Sequence, residues 1–270
     1  MLLHVRDAHI ALISVALLVG ACGGPARQGS KGQPRAAYRN PVRVRQPVAR
    51  VPTRPRPLPV IAKLYAVRTD EPVVALTFDD GPDPKNTPQI LDLLARYGSH
   101  ATFFVLGSAA AHYPELVRRA AANGNEVANH GWGHNRMTLL TRGRVIEEIR
   151  RGSHQITQLV EQKPRSLRPP YGAYNEGVVH AANDLGETVV LWSIDTRDWT
   201  NPPPSQIASR ILGNVHPGSI ILLHDGGGRR TSTVRALPMI LQGLRRRGYR
   251  VVPVKDLVRL GTAVVQDPDT

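Results

Sequence analysis

Val73-Val74-Ala75-Leu76-Thr77-Phe78-Asp79-Asp80-Gly81 is an apolar run that ends in two adjacent carboxylates. Related polar clusters occur at His130-Gly131-Trp132-Gly133-His134, Arg168-Pro169-Pro170-Tyr171-Gly172, Asp195-Thr196-Arg197-Asp198-Trp199 and Leu222-Leu223-His224-Asp225, most of them after an apolar run. When several such runs end in Asp or His and alternate with helical stretches, the reactive groups are expected at one rim, because parallel-strand barrels carry their chemistry at strand C-termini.

Outward from this stretch, strand-like runs at 73–78, 101–106, 126–129, 188–194, 219–223 and 249–254 alternate with helical apolar spacing at 86–97, 114–123, 142–161, 175–185, 204–214 and 233–247. Gly98, Gly124, Gly186 and Gly248 each close a helical stretch before the next strand, where a capping residue with positive φ belongs. No long repeat and no second linker interrupts 63–270, which reads as one domain. About seven βα units in about 200 residues fall short of an eight-fold barrel of roughly 250. The predicted fold is therefore α/β: a distorted or incomplete (β/α) barrel of about seven parallel strands, with its active site at the strand C-terminal rim.

The N-terminal part has a different composition. Ile10 to Val19 has the length of a signal-peptide apolar region and is too short to span a bilayer. The chain's one cysteine, Cys22, follows Val19-Gly20-Ala21, a junction that resembles the lipobox of bacterial lipoproteins. Residues 1–21 are thus expected to be a lipoprotein-type signal peptide, with lipidation at Cys22 and anchoring on the outer face of a membrane; plain secretion is the alternative. Residues 22–62 read as a Pro/Arg-rich basic stalk. Its core, Gly23 to Val60, holds nine Lys or Arg and no acid, so it carries +9 of the formal +14 and cannot offset ordering entropy by burial. A basic tether suits an anionic surface. Nucleic acid is not the expected partner, since Tyr38 is the stalk's one aromatic residue for base stacking.

Each cluster has a chemistry that its residue types permit. Adjacent residues leaving a strand point in opposite directions, so Asp79 and Asp80 can serve different partners, one a metal and one the reacting water. His130 and His134 are four apart, but Gly131 and Gly133 argue for a loop rather than a helix. Two imidazoles with one carboxylate form a mixed N/O set that suits Zn²⁺, with Co²⁺, Ni²⁺ or Mn²⁺ as alternatives, and leaves room for water. Pro169 and Pro170 stiffen the next cluster, so that the Tyr171 N–H can act as an oxyanion donor and Arg168 can pair with a carboxylate. Asp198 can orient His224 as a general acid, with Trp199 and Leu222 walling a small apolar slot. Trp192 and Asp195 are expected to pack. His100, His112, His154, His180 and His216 are given no chemistry.

Taken together and in this order, the clusters resemble the five motifs of the NodB-homology polysaccharide deacetylases, carbohydrate esterase family 4, over residues 70 to 258. The resemblance implies metal-dependent removal of acetyl groups from sugars. It implies Asp79 as general base, Asp80, His130 and His134 as metal ligands, and Arg168 as the residue that orients the base. Tyr171 is implied as oxyanion donor, His224 as general acid with Asp198 as its partner, and Trp199 and Leu222 as the acetate-pocket wall. Members often carry Ser or Thr where Gly131 stands, so the metal loop is expected to lack that hydroxyl brace.

The expected activity is hydrolysis of acetamides on a cell-wall glycan, peptidoglycan in first place, with chitin oligomers or acetylated xylan as alternatives, by a monomeric exported enzyme. Two other readings are weaker. A glycoside hydrolase needs carboxylates about 5 to 9 Å apart across a sugar, which adjacent Asp79 and Asp80 do not provide. A non-catalytic carbohydrate-binding lipoprotein on the same barrel is expected to have lost the base or a ligand, and neither Asp79 nor His224 is lost.

Overall fold

A computed structural model of the chain describes residues 63–265. Strand β3 (Val73–Asp79) is buried along its whole length, as a strand covered on both faces must be. It pairs in parallel with β4 (Thr102–Val105), with β9 (Ile220–His224) and, near its start, with β10 (Arg250–Val251). From β4 the sheet continues in parallel through β5 (Glu126–Asn129), β6 (Ser166–Leu167) and β7 (Thr188–Val190) to β1 (Lys63–Leu64). Beyond β9 lies β8 (Ile194–Asp195), also parallel. The two ends of this path, β1 and β8, do not pair, so the barrel stays open. A short antiparallel ribbon of β2 (Ala66–Arg68) and β11 (Thr262–Val264) completes the strands.

Among the described residues the sheet has nine parallel strands rather than about seven: β1, β6 and β8 are two residues each and too short to show a period, whereas β10 lies inside the expected run at 249–254. The run at 188–194 is also two strands rather than one, β7 and β8, paired to different neighbours. The helices fall where apolar spacing put them: α1 (Thr87–Arg96), α3 (Pro114–Ala122), α4 (Arg142–Val160), α5 (Glu176–Asp184), α6 (Pro204–Asn214) and α7 (Thr231–Arg246). Two short helices, α2 (Gly107–His112) and α8 (Val254–Leu257), carry less than two turns and gave no periodic signal. Gly98, Gly124, Gly186 and Gly248 all have φ between 60° and 80° after their helices.

The two-residue period of the strands positions the site. On β3, Val74, Leu76 and Phe78 face the helices and pack with Ile90, Leu91 and Leu94 of α1. Val73 and Ala75 join Phe104, Ala128, Val190 and Ile220 in a second cluster on the other face, inside the barrel. Thr77 and Asp79 continue this inner row. On β9, Ile221 and Leu223 face the helices, which turns Ile220, Leu222 and His224 inward.

The described residues fall within one compact unit, and none of their helices is long and apolar enough to cross a membrane. The expected signal peptide, Cys22 and the stalk lie outside the described residues.

Candidate active site

Asp79 ends the inner row of β3 beside Arg168, which follows β6. Arg168 has no solvent exposure; its Nη1 donates to Asp79 Oδ1 and to Thr77 Oγ1, both at 2.7 Å. Its Nε and Nη2 donate to the carbonyls of Val190 and Leu191, at 3.1 and 2.8 Å, and its guanidinium lies 4.1 Å from the Phe104 ring centre. Burial pulls the Arg168 pKa down and Asp79 opposes that pull. The Nη1 bond fixes one oxygen of Asp79 and uses no acceptor site on the other, and the Asp79 side chain lines the pocket.

Asp80 turns the opposite way, with φ at 72°, a left-handed conformation rare outside glycine. Its Oδ1 is buried, accepts no hydrogen bond, and lies 3.3 Å from His130 Nε2 and 3.1 Å from His134 Nε2. Burial alone would raise the Asp80 pKa, but the two imidazoles and His224 outweigh it and hold the carboxyl well below the usual carboxylate range. His130 Nδ1 lies 2.6 Å from the Arg168 carbonyl, which can only accept, so Nδ1 carries the proton and Nε2 offers a lone pair. The three donor atoms lie within 4.8 Å of one another, with Asp80 Oδ1 3.1 and 3.3 Å from the two imidazole nitrogens, close enough for one divalent ion with ligands at about 2.0–2.2 Å to touch all three. Together, the orphaned oxygen, the set tautomer and the spacing fit a metal ion, and among the described residues these three form the one such cluster.

Across the pocket, His224 Nδ1 lies 2.7 Å from Asp198 Oδ1, while Asp198 Oδ2 accepts from the His224 N–H at 2.9 Å and Thr233 Oγ1 at 2.7 Å. Burial would lower the His224 pKa; the hydrogen bond and charge of Asp198 more than offset it, so the pKa is raised. Tyr171 has φ 63°, and its N–H has no protein acceptor among the described residues, whereas the Gly172 and Ala173 N–H groups return to Pro169 and Pro170. A side chain at Gly172 would collide with Trp192, 2.5 Å from the position of a Cβ. With His134 (φ 58°), three of the six non-glycine residues in the left-handed region among the described residues, Asp80, His134 and Tyr171, lie at this one site.

These groups open onto one pocket of about 380 Å³, lined by Asp79, Asp80, His130, His134, Tyr171, Trp199, Leu222 and His224, with Gly172, Trp192 and Asp195. Arg168 and Asp198 stand behind this wall. The ten expected site residues of the barrel thus converge. Trp192 packs against two core clusters as expected and also lines the pocket, whereas the expectation that Asp195 packs must be corrected, since it is exposed at the pocket.

Other participants gave no sequence signal of their own. Asp225 was part of a cluster but had no role. It is fully buried, accepts from Thr87 Oγ1 at 2.5 Å, and is pushed up to about 7 by burial despite that bond, with Asp80 and Asp79 adding to the rise. Gly81 approaches it so closely that a Cβ there would sit 2.2 Å from Asp225 Oδ2. The metal loop, expected to lack a hydroxyl brace at Gly131, is held instead by Asn129 Oδ1 on the Gly131 N–H and by Glu148 on the Trp132 and Gly133 N–H groups.

The comparisons with known proteins agree with this geometry. A polysaccharide deacetylase family profile matches residues 66–190. The chain is 40% identical over 197 residues to a peptidoglycan-N-acetylglucosamine deacetylase of Bacillus cereus, covering 72% of this chain and 92% of that protein. It is 38% identical over 213 residues to a chitooligosaccharide deacetylase of a Bradyrhizobium species, covering 74% and 97%. The crystal structure of the Bc1960 peptidoglycan N-acetylglucosamine deacetylase, bound to a hydroxamate, superposes with a TM-score of 0.71 at 33% identity, over 76% of this chain and 95% of that one. An open parallel barrel, five clusters converging on one pocket and relatives matched over most of their length place the chain among the NodB-homology polysaccharide deacetylases of carbohydrate esterase family 4.

Proposed function

We propose that the chain is a Zn²⁺-dependent hydrolase that removes acetyl groups from N-acetylated cell-wall polysaccharide, with peptidoglycan as its substrate. The observation that carries this reading is the convergence of Asp80, His130 and His134 between the Asp79–Arg168 pair and the His224–Asp198 pair, all on one pocket.

Asp80, His130 and His134 hold the ion, and two imidazoles with one carboxylate favour Zn²⁺ over hard-oxygen cations. When bound, such an ion supplies Lewis-acid polarisation of an acyl oxygen and lowers the pKa of water. The chain's own groups do the rest. Asp79, with one oxygen fixed by Arg168, takes the proton of the attacking water on its other oxygen. The Tyr171 N–H, free of protein acceptors, stabilises the oxyanion, because a fixed donor needs no reorganisation as charge develops. His224, kept protonated by Asp198, gives its Nε2 proton to the departing sugar amine. Trp199 and Leu222 enclose the methyl group.

Peptidoglycan is favoured by the Bacillus cereus relative's activity and by the basic segment 23–60, which suits an anionic wall. The Val19-Gly20-Ala21-Cys22 junction supports export and lipid anchoring. The test is acetate release measured in parallel on peptidoglycan, chitooligosaccharide and acetylxylan, before and after chelation and Zn²⁺ return. Fastest release from peptidoglycan, lost with chelator and restored by Zn²⁺, is expected. Faster release from either other glycan would overturn the substrate, and chelator-resistant release the metal.

A further inference from the structure

The loop His130-Gly131-Trp132-Gly133-His134 has no hydroxyl or carboxyl side chain between its two histidines. No side chain between the histidines can accept from the loop's backbone N–H groups, and those of Gly131, Trp132 and Gly133 go to acceptors outside the loop. Helix α4 supplies the acceptor for the last two. Its buried face runs through Val145, Glu148, Ile149, Gly152, Ser153 and Ile156, a helical stripe where Glu148 stands among mostly apolar or small residues. Glu148 is 8% exposed and pairs with no basic side chain among the described residues. It is spent on the loop: Oε2 accepts from the Trp132 and Gly133 N–H groups at 3.1 and 3.0 Å, and Oε1 accepts from Asn135 Nδ2 at 3.0 Å.

Close packing makes this reach possible. A Cβ on Gly152 would sit 2.8 Å from the Gly131 carbonyl oxygen, so only glycine lets α4 come this near. The two histidines depend on the clamp unequally. His130 is 2% exposed and has its own anchors, its N–H on the Val105 carbonyl and its ring on the Arg168 carbonyl. His134 has a side chain 29% exposed, sits in the left-handed region, and directly follows the N–H groups that Glu148 holds.

We infer that Glu148 is a positioning residue for metal binding, fixing His134 Nε2 opposite Asp80 by clamping the backbone of the loop. This rests on the reading of Asp80, His130 and His134 as the metal site. The carboxylate acts through hydrogen bonds to N–H groups, so an amide oxygen can replace it: in Glu148→Gln the oxygen still accepts from Trp132 and Gly133, and Asn135 turns its amide to accept from the new NH₂. Glu148→Leu fills the same volume on the apolar stripe and removes the acceptor.

The experiment measures the Zn²⁺ dissociation constant of the full chain by chelator competition, with circular dichroism as the check on folding and the Co²⁺ visible spectrum as a second readout. For Glu148→Leu the dissociation constant is expected to rise about 10- to 100-fold, as loss of a group supporting a metal ligand typically does, with a weaker and shifted Co²⁺ spectrum. Glu148→Gln is expected to stay within about threefold of the original chain. Wild-type Zn²⁺ affinity in Glu148→Leu would overturn the proposal. So would equal losses in the Leu and Gln variants. If the unaltered chain binds no Zn²⁺, the metal reading itself fails, which is a different result from binding that is indifferent to Glu148.

Discussion

Arg168 Nη1 donates to Asp79 Oδ1 at 2.7 Å, with the Arg168 side chain wholly buried and that of Asp79 5% exposed. The pair joins the end of β3 to the segment after β6, and the same guanidinium holds the carbonyls of Val190, the last residue of β7, and of Leu191. Strand ends that are far apart in sequence are therefore tied together at the base of the pocket.

Arg168→Met is expected to destabilise the fold by about 3–5 kcal/mol, because it leaves a buried carboxylate without its charge partner. Chemical denaturation of the two proteins measures this. The double variant Asp79→Asn/Arg168→Met is expected to recover part of the loss, since no buried charge remains unpaired. A single variant as stable as the original would show that the pair contributes nothing.

Asp79→Asn separates chemistry from binding. The amide keeps the shape of the carboxylate and can still turn its oxygen to Arg168, and Asp80, His130 and His134 are untouched. Acetate release is expected to fall about 10²- to 10⁴-fold, the usual size of a lost general base, while Zn²⁺ affinity stays near that of the original. A comparable fall in Zn²⁺ affinity would instead make Asp79 a ligand.

Asp198→Asn tests the acid through pH. Burial lowers the His224 pKa, and the Asp198 hydrogen bond and charge, with further help from the charges of Asp79 and Asp80, outweigh it, so losing the Asp198 carboxylate moves the pKa down. The protonated imidazole is the active form, and activity is lost as pH rises through its pKa. The alkaline limb of kcat is therefore expected to move to lower pH in Asp198→Asn. His224→Ala is expected to slow an N-acetyl sugar more than an activated acetyl ester, whose leaving group departs without a proton. Equal losses on both substrates would reject His224 as the leaving-group acid.

The site was legible where chemistry is concentrated in short clusters at strand ends: Asp79-Asp80, His130, His134, Tyr171, Trp199, Leu222 and His224 line one pocket, and Arg168 and Asp198 stand behind it, bonded to Asp79 and His224. What supports them was not. Glu148 follows Glu147 on a helix rich in charge, and only packing against the loop separates the buried carboxylate from the solvated one. Thr233, from α7, meets Asp198 because of how the helix lies on the sheet. Trp192 and Asp195 were placed on the strand side of their cluster, which missed the pocket that both line. The chain leaves β7, bonds Leu64 through the Leu191 N–H and Ile220 through the Ser193 N–H, and pairs again as β8 beside β9. That crossing between the two open ends of the sheet is set by the register of strands too short to carry a pattern.

Glu187 ties the fold to pH. It is fully buried, accepts from Asn129 Nδ2 at 2.9 Å and bonds Ser153 Oγ, so it stands behind the residue that precedes His130. Burial raises its pKa from the ordinary 4.5 to about 8, against the smaller effects of the Ser153 and Asn129 hydrogen bonds. The folded protein therefore holds a proton that the unfolded chain has lost once pH exceeds about 4.5. Stability from this group is complete below that pH and declines until about pH 8, with a slope of at most about 1.4 kcal/mol per pH unit. Asp225, pushed up to about 7, adds a decline of the same sign. Glu187→Gln keeps a neutral group of the same shape that can accept from Asn129 and donate to Ser153. Denaturation midpoints measured between pH 5 and 8 are expected to fall with rising pH in the original chain and to fall less steeply in Glu187→Gln, so the variant gains most at pH 8. Parallel profiles would mean that Glu187 is ionised in the folded protein and that the slope has another source.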